Sequence, residues 1–357
     1  MPEPERPLDS AGFAKAAYEA ALGREFPTNV FCAPQLRWAV IGCGVIANQM
    51  ADSLALAGRR IEGVANRHVE KARAFAAAHG VPRVYQTFEE LYADPDIDAI
   101  YITTPHNTHI GFLRGALAAG KHVLCEKSIT LNSEELAEAR ELARAHGVVL
   151  MDATTILHMP LYRELLSRAR AGEFGRMNLA QLNFGSYKPY DPATRFYNPS
   201  LAGGAMLDIG VYALSLARLF MESQPAEVVS LANRCETGVD VTSGIVARNA
   251  EGQMAVLSLS LHSKQPKRAV LSFDRCYVEV MEYPRADRAV ITWTEDGRRE
   301  EVHAGEEAYA LCYEMADLER AVAGDAAAAG LIDTASDVMD LMTRLRREWG
   351  VTYPEEA

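Results

Sequence analysis

Residues 38–47, Trp38-Ala-Val-Ile-Gly-Cys-Gly-Val-Ile-Ala47, decide the fold. In this stretch an apolar run leads into a turn with glycines at 42 and 44 and a small residue at 47. Gly42 permits a tight turn, Gly44 lets the backbone approach a pyrophosphate, and Ala47 lets a helix pack close to the strand. A helix N-terminus offers free N–H groups to phosphates. The stretch predicts a dinucleotide-binding turn with cofactor contacts from Gly42, Gly44, Val45, Ile46 and Ala47.

Apolar runs alternate with helical stretches from Arg37 to about residue 155. The runs lie at Trp38–Ile41, Ile61–Ala65, Ala99–Ile102, His122–Cys125 and Val148–Met151. The helical stretches lie at about Ala47–Ala57, Val69–His79, Ile110–Ala119 and Ser133–His146. Strand, helix and strand at this spacing predict right-handed crossovers and a parallel sheet.

The pattern changes after about residue 155. We predict a helix at Leu161–Ala171, a strand at Leu179–Phe184, a helix at Ala205–Met221 and closing helices at Glu306–Val322 and Thr334–Trp349. Between the helix at Ala205–Met221 and the closing helices, strand-like runs follow one another at Ala226–Ala232, Thr242–Ala247, Met254–Leu261, Ala269–Phe273, Tyr277–Met281 and Ala289–Trp293. Strands without intervening helices favour an antiparallel sheet with one open face.

These patterns predict four segments. They are an N-terminal extension at 1–36 with a short helix at Ser10–Leu22, a dinucleotide-binding domain at 37–155, a substrate and oligomerisation domain at 156–330, and a C-terminal helix and tail at 331–357. A length of 357 residues also favours two domains over one.

Composition narrows the possible partners and location. The 48 acidic and 36 basic residues give a net charge of −12, which argues against nucleic acid and anionic membranes as partners. The six cysteines show neither a C-x-x-C pair nor metal-site spacing, so we expect no metal and a reducing compartment. No apolar run approaches the length of a membrane span, and the first ten residues, MPEPERPLDS, lack the features of a secretory signal. We therefore expect a cytoplasmic protein.

The end of the second predicted strand bears on the choice of cofactor. An acid at this point binds the free ribose 2′-hydroxyl of NAD, whereas arginine suits the 2′-phosphate of NADP. The chain has no acid there: Asn66 and Arg67 end the strand, and Lys71 follows one turn later. These residues favour NADP(H). The alternative is NAD(H), in which case Arg67 is an ordinary solvated residue.

Three proton-handling residues lie on segments expected to flank a cleft. Lys127 follows the strand His122–Cys125, where ligands of parallel sheets bind. Asp208 and Tyr212 stand four residues apart and share one face of a predicted helix. Taken singly, Lys127 could be a surface lysine paired with Glu126, and Asp208 and Tyr212 a core polar pair. Their combination favours a catalytic site.

The chain resembles the glucose-fructose oxidoreductase/inositol dehydrogenase/MocA (Gfo/Idh/MocA) family from about Arg37 to Pro354. Four markers carry the resemblance: the glycine turn, Thr104-Pro105 followed by His109, the segment Gly120–Lys127, and the segment Gly203–Tyr212. The closing Gly350–Pro354 also looks like the family's ending. The resemblance implies a Rossmann domain followed by an α/β domain with a large, mostly antiparallel, open-faced sheet, and a homodimer or homotetramer formed through that face.

The resemblance also implies roles for single residues. Lys127 matches the lysine of the family's Glu-Lys-Pro motif, and Asp208 matches the acid of its substrate-domain helix. A tyrosine at position 212 resembles the branch of the family that contains glucose-fructose oxidoreductase and dimeric dihydrodiol dehydrogenase. Further cofactor contacts are expected from Thr104, Pro105, His106, His109, Glu126 and Lys127. Two positions depart from the pattern, since Ser128 replaces the motif's proline and His106 replaces an asparagine.

The hypothesis from the sequence is hydride transfer between nicotinamide and a sugar, polyol or related hydroxyl or carbonyl compound. Tyr212 would be the general acid/base, acidified by Lys127 and oriented by Asp208. Substrate contacts are expected from Lys127, Tyr187, Lys188, Arg195, Asp208 and Tyr212. Two alternatives stay open: glycoside cleavage through transient oxidation by bound NAD(P), and a non-enzymatic NADP(H)-binding redox sensor.

Overall fold

The computed structural model describes residues 19–22, 24–27 and 29–356. The helix predicted at Ser10–Leu22 lies mostly outside these residues, and of its span residues 19–21 are described as helical. From Trp38 onward the chain forms two sheets, one of six strands and one of eight. The expected combination of a Rossmann-type parallel sheet and a mostly antiparallel sheet is confirmed.

The first sheet is parallel throughout, with strand order β3-β2-β1-β4-β5-β6. Its strands are β1 (Trp38–Ile41), β2 (Gly63–Ala65), β3 (Arg83–Val84), β4 (Ala99–Ile102), β5 (His122–Glu126) and β6 (Leu150–Ala153). The helices between them are α1 (Val45–Leu56), α2 (Val69–His79), α3 (Phe88–Ala93), α4 (His109–Ala118) and α5 (Ser133–His146). The order reverses between β1 and β4, which opens a crevice at the carboxyl ends of these strands.

Some predicted boundaries in this sheet were wrong. The sixth strand begins at Leu150 rather than Val148, because the N–H of Val148 bonds to the Ala143 carbonyl and closes α5 after the left-handed Gly147. The pair Arg83–Val84 and helix α3 were not predicted. A two-residue strand is too short to show periodicity.

The second sheet has the order β14-β13-β12-β11-β7-β10-β9-β8. Its strands are β7 (Met177–Gly185), β8 (Pro225–Arg234), β9 (Asp240–Asn249), β10 (Met254–Ser260), β11 (Gln265–Phe273), β12 (Cys276–Met281), β13 (Arg288–Trp293) and β14 (Arg299–His303). Neighbours are antiparallel except β7 and β10, which run parallel. Exposed apolar side chains alternate along one face at Leu179, Val229, Leu231, Val246, Met254, Tyr277 and Met281.

The remaining helices are α6 (Pro160–Arg170), α7 (Val211–Phe220), α8 (Ala310–Val322), α9 (Ala326–Ala329) and α10 (Leu331–Glu348). Helix α7 packs on the other face of the second sheet, against β7 and β10. Helix α8 packs on α1, β5 and β6 of the first sheet, and α10 contacts both α5 and α7. The division into four segments stays a prediction.

One helical stretch departs from the expectation about apolar runs. Pro199–Phe220 has the length and composition of a membrane span, but 78% of the apolar window is buried inside the protein, as in a core helix. The sequence did not predict it because Asp208 and Arg218 interrupt the apolar run inside the stretch.

Candidate active site

The two sheets meet at Lys127 and Ser128, directly after β5. The peptide bond between these residues is cis. The Ser128 hydroxyl donates a hydrogen bond to the Leu207 carbonyl at 2.9 Å, and Lys127 Nζ donates one to the Asp208 carbonyl at 2.6 Å. Two consecutive residues of the first domain thus bind two consecutive carbonyls of the second. Ser128, which departs from the family's proline, takes part in this junction.

Asp208 lies in a turn of π-helix, Met206–Gly210, that leads into α7. This turn replaces the first part of the α-helix predicted at Ala205–Met221. Lys127 Nζ lies 3.3 Å from Asp208 Oδ1 and 4.9 Å from the centroid of the Tyr212 ring. The structure therefore brings together Lys127, Asp208 and Tyr212, although 81 residues separate the first two. Their catalytic roles remain predictions.

Arg195 is a second cation at the same carboxylate. Its Nη1 lies 3.3 Å from Asp208 Oδ1, the oxygen that also faces Lys127. The charges of Lys127 and Arg195 hold the pKa of Asp208 well below its usual range, in spite of burial. Burial acts against the charge of Lys127, but Tyr212 and Asp208 favour it, and the pKa of Lys127 is raised. Asp208 is an anion and Lys127 a cation at neutral pH.

Tyr212 does not have the lowered pKa expected of an acidified phenol. Burial raises its pKa, and the neighbouring Lys127 charge opposes that rise without cancelling it. The Tyr212 ring also packs against Phe184, at 5.9 Å between centroids. The phenol is therefore protonated at neutral pH, which makes it a proton donor rather than a base in the absence of ligands.

The glycine turn has the shape needed for a dinucleotide. Gly42 has a φ of +104°, and a Cβ there would lie 2.5 Å from Thr103 Oγ1, so only glycine fits. A Cβ on Gly44 would meet nothing within 4 Å, which leaves its backbone open to a ligand. No side chain caps the first turn of α1, so its N–H groups remain available. These features fit a pyrophosphate in front of Gly44, with Val45 exposed and Ala47 buried behind it.

The end of β2 presents two cations. Arg67 and Lys71 are exposed and form no ion pair with any residue that the structure describes. Asn66 Oδ1 accepts a hydrogen bond from the N–H of His68 and so shapes the turn. No carboxylate contacts Arg67 or Lys71 within the described part of the chain. This combination suits an added phosphate.

The residues expected after β4 fall into two groups. His109 is fully buried, with Nε2 2.7 Å from the Thr104 carbonyl and Nδ1 3.0 Å from the Ser128 carbonyl, so it connects the loops after β4 and β5. Pro105 is exposed at the crevice. His106 lies in the field of Lys127, and burial together with neighbouring His109 lowers its pKa to about 3, which keeps it neutral.

Of the expected substrate contacts in the loop after β7, only Arg195 reaches Asp208. Lys188 Nζ lies 4.7 Å from the centroid of the Phe196 ring, and the Arg195 guanidinium lies 4.3 Å from the same centroid. Tyr187 is 58% exposed. The loop therefore presents two cations on one aromatic ring beside the cleft.

Two charged residues near the site were not predicted. Arg285, in the turn after β12, contacts Gln49 of α1 at 3.4 Å, and its charge influences Glu126 and Tyr212. Glu314 of α8 influences Glu126 from inside the protein. Neither belongs to a motif, and α8 shows only an amphipathic pattern in the sequence.

Comparison with known proteins assigns the family. A model of an oxidoreductase family with an NAD-binding Rossmann fold matches residues 36–154, and a GFO/IDH/MocA C-terminal domain model matches residues 162–280. The chain belongs to the Gfo/Idh/MocA family. It is an NAD(P)-binding oxidoreductase, and the resemblance found in the sequence is confirmed.

Among its relatives are trans-1,2-dihydrobenzene-1,2-diol dehydrogenases. That of Mus musculus is 33% identical over 241 residues, or 66% of this chain and 72% of the relative. That of Sus scrofa is 28% identical over 333 residues, or 90% and 99%. Aldose-aldose oxidoreductase from Caulobacter crescentus, solved with glycerol, has the same fold, with a TM-score of 0.78, 22% identity, and coverage of 88% and 98%.

Proposed function

We propose that this oxidoreductase uses NADP(H) to interconvert a carbonyl and a hydroxyl group of a sugar, polyol or related compound. The observation that carries the proposal is the contact of Lys127 with Asp208 and Tyr212 at the carboxyl edge of the first sheet, beside the glycine turn. The activity named for the relatives, dehydrogenation of a cyclic diol, also converts a carbon that bears a hydroxyl group into a carbonyl carbon.

The preference for NADP(H) is supported by Arg67 and Lys71. Both are cations without an ion pair among the described residues, at the position where the ribose 2′-substituent lies in this fold. The pyrophosphate would be held by the N–H groups that follow Gly44. A bound nicotinamide supplies or accepts the hydride.

The protein's own groups handle the proton and the charge. In carbonyl reduction, the Tyr212 hydroxyl donates its proton to the substrate oxygen, and the Lys127 ammonium stabilises both the developing alkoxide and the phenolate. Asp208 holds Lys127 in place and is itself held by Arg195. Because Tyr212 is protonated at neutral pH, the site is ready there to donate the proton that reduction needs, and oxidation should become faster as the pH rises and the phenol ionises.

We propose a homodimer or homotetramer and a cytoplasmic location as well. The apolar face defined by Leu179, Val229, Leu231, Val246, Met254, Tyr277 and Met281 supports an oligomer, because soluble monomers rarely leave such a patch exposed. The six cysteines are all free thiols, as is usual in a reducing compartment.

A substrate panel tests the activity. Aldoses, polyols, their keto forms and aromatic trans-dihydrodiols are assayed with NADPH and NADP⁺ while nicotinamide absorbance is followed. Substrate-dependent change in absorbance is expected, and it should be lost in Tyr212→Phe but kept in Tyr277→Phe, a matched change on the open face of the second sheet.

The other outcomes of the panel identify the alternatives. Glycoside cleavage without net change in absorbance, with cofactor retained through gel filtration, would replace the proposal by transient oxidation. Tight NADP(H) binding without turnover of any compound would replace it by a redox sensor.

A further inference from the structure

A second carboxyl group is buried behind the segment that presents Lys127. Glu314 lies near the start of α8 and is fully buried. Neither of its carboxyl oxygens has a partner in hydrogen-bond geometry among the residues that the structure describes. An ionised carboxylate without donors is among the most costly groups to bury.

The surroundings of Glu314 are mostly acidic. The charges and polar groups that face it and its neighbour Glu126 come from β4, β5, β6, the turn after β6, the turn after β12 and α8 itself. They are Tyr101, Glu126, Lys127, Asp152, Thr155, Arg285 and Cys312, together with Tyr212 of α7 on the cleft side. The three carboxyl groups of Glu126, Asp152 and Glu314 thus face two cations, Lys127 and Arg285. Of these cations, Lys127 is also bound to Asp208.

The donors distinguish the two glutamates. Glu126 accepts a hydrogen bond from the Tyr101 hydroxyl, and its Oε2 accepts one from the N–H of Lys127 at 3.2 Å. Beside Glu314 stands the Thr155 hydroxyl, which favours the charged form, but none of the described residues donates to Glu314 in full hydrogen-bond geometry. Hydrogen bonds to the charged form stabilise that form, so of two interacting carboxyl groups Glu126 keeps the charge. Burial and the Glu126 charge raise the pKa of Glu314 well above its usual range.

We propose that Glu314 is a positioning residue that carries a proton, so that the buried pair Glu126–Glu314 holds one negative charge. With a single charge, Glu126 keeps its bonds to Tyr101 and to the backbone of Lys127, and it sustains the charge of Lys127. The Glu126 charge also raises the pKa of Tyr212. The inference rests on the proposed function for its effect on catalysis, but the protonation of Glu314 does not.

Infrared spectroscopy tests the protonation without any assay of activity. At neutral pH the wild-type protein is expected to show the carbonyl stretch of a buried carboxylic acid, shifted in D₂O, and Glu314→Gln should lose it. A wild-type minus Glu314→Gln difference without that band would overturn the proposal. Asp152→Asn is the control, because its carboxyl, with a pKa raised to about 6 by burial, is mostly ionised at pH 7.

The pH profile of hydride transfer tests the effect on the site. Glutamine reproduces the neutral acid. Glu314→Ala should lower the rate about tenfold, and Glu314→Gln should restore most of that loss. The Tyr212 limb, which is the part of the pH profile where the rate changes because Tyr212 ionises, should stay in place in Glu314→Gln. Glu126→Gln should move that limb about one pH unit lower, because a negative charge near Tyr212 is removed. If the limb moved in Glu314→Gln as far as it does in Glu126→Gln, Glu314 would be ionised in the wild type, and the proposal of one negative charge on the pair would be refuted. If the wild-type protein reduces nothing, the proposed function fails, and the infrared result still decides the state of Glu314.

Discussion

Replacement of Lys127 by alanine should change the pH dependence of the reaction more than its rate at high pH. In the structure Lys127 Nζ lies 4.9 Å from the Tyr212 ring centroid, and its side chain is only 14% exposed. At an effective dielectric constant of ~20, a unit charge at about 5 Å stabilises the phenolate by about 3 kcal/mol, or about 2 pK units. Lys127→Ala should therefore raise the Tyr212 pKa by that amount and slow alcohol oxidation about 100-fold at any pH below the wild-type pKa of Tyr212, and by progressively less between the wild-type and the mutant pKa.

The assay is single-turnover hydride transfer in both directions, followed by nicotinamide absorbance in a stopped-flow instrument from about pH 7 to about pH 11.5. Below the limb, the oxidation rate falls about tenfold for each unit by which the Tyr212 pKa rises, so the ratio of two rates there reports how far apart the two limbs lie. Lys127→Arg is the charge-matched control, and it should lose rate through altered geometry but keep the limb near its wild-type position. A Lys127→Ala limb that coincides with the wild-type limb would show that the charge does not act on Tyr212. The same conclusion would follow if Lys127→Arg shifted the limb as far as alanine does.

Three further predictions concern the cofactor, the reaction direction and assembly. Arg67→Ser should raise the KM for NADPH about tenfold and leave that for NADH unchanged, whereas Arg60→Ser, in the same part of the chain but paired with Glu62, should change neither; steady-state kinetics with both cofactors decides this. Because burial raises the Tyr212 pKa, the rate of reduction should be flat through neutral pH and fall only when the phenol ionises, while oxidation should rise with pH; an oxidation optimum below neutral pH contradicts it. Leu231→Glu, on the open face and 81% exposed, should dissociate the oligomer in light scattering, and the matched surface change Leu22→Glu should not.

The parallel sheet could be predicted because its determinants are local. Most of its strands are short, buried and mainly apolar, as in β1 and β5, and most are followed by a helix with its own periodicity. The weaker elements lack such patterns. Strand β14, Arg-Glu-Glu-Val-His, lies at an edge and carries charges on both faces, so its sequence does not alternate clearly. The parallel pairing of β7 with β10 joins segments about 75 residues apart, and nothing in either segment specifies it.

The candidate site divides in the same way. Lys127, Asp208 and Tyr212 could be predicted to meet. Lys127 directly follows a strand of the parallel sheet, Asp208 and Tyr212 share one helix face, and all three lie within sequence motifs. Arg285 and Glu314 could not, since their importance comes only from proximity in the folded chain. The direction of the Tyr212 pKa was also missed, because burial raises it, and burial comes from packing in the folded chain, where Phe184 is one of the neighbours of the ring.

The junction of Lys127 and Ser128 with the carbonyls of Asp208 and Leu207 has a mechanical consequence. These two bonds lie side by side, at 2.6 Å and 2.9 Å, between the segment that follows β5 and the turn of π-helix that precedes α7. A motion that pulls the sheets straight apart breaks both bonds, at about 0.5–3 kcal/mol each. A rotation about an axis through the pair breaks neither. A relative rotation of the two segments about this pair of bonds would leave Lys127 aligned with Asp208, whereas a separation would carry it away.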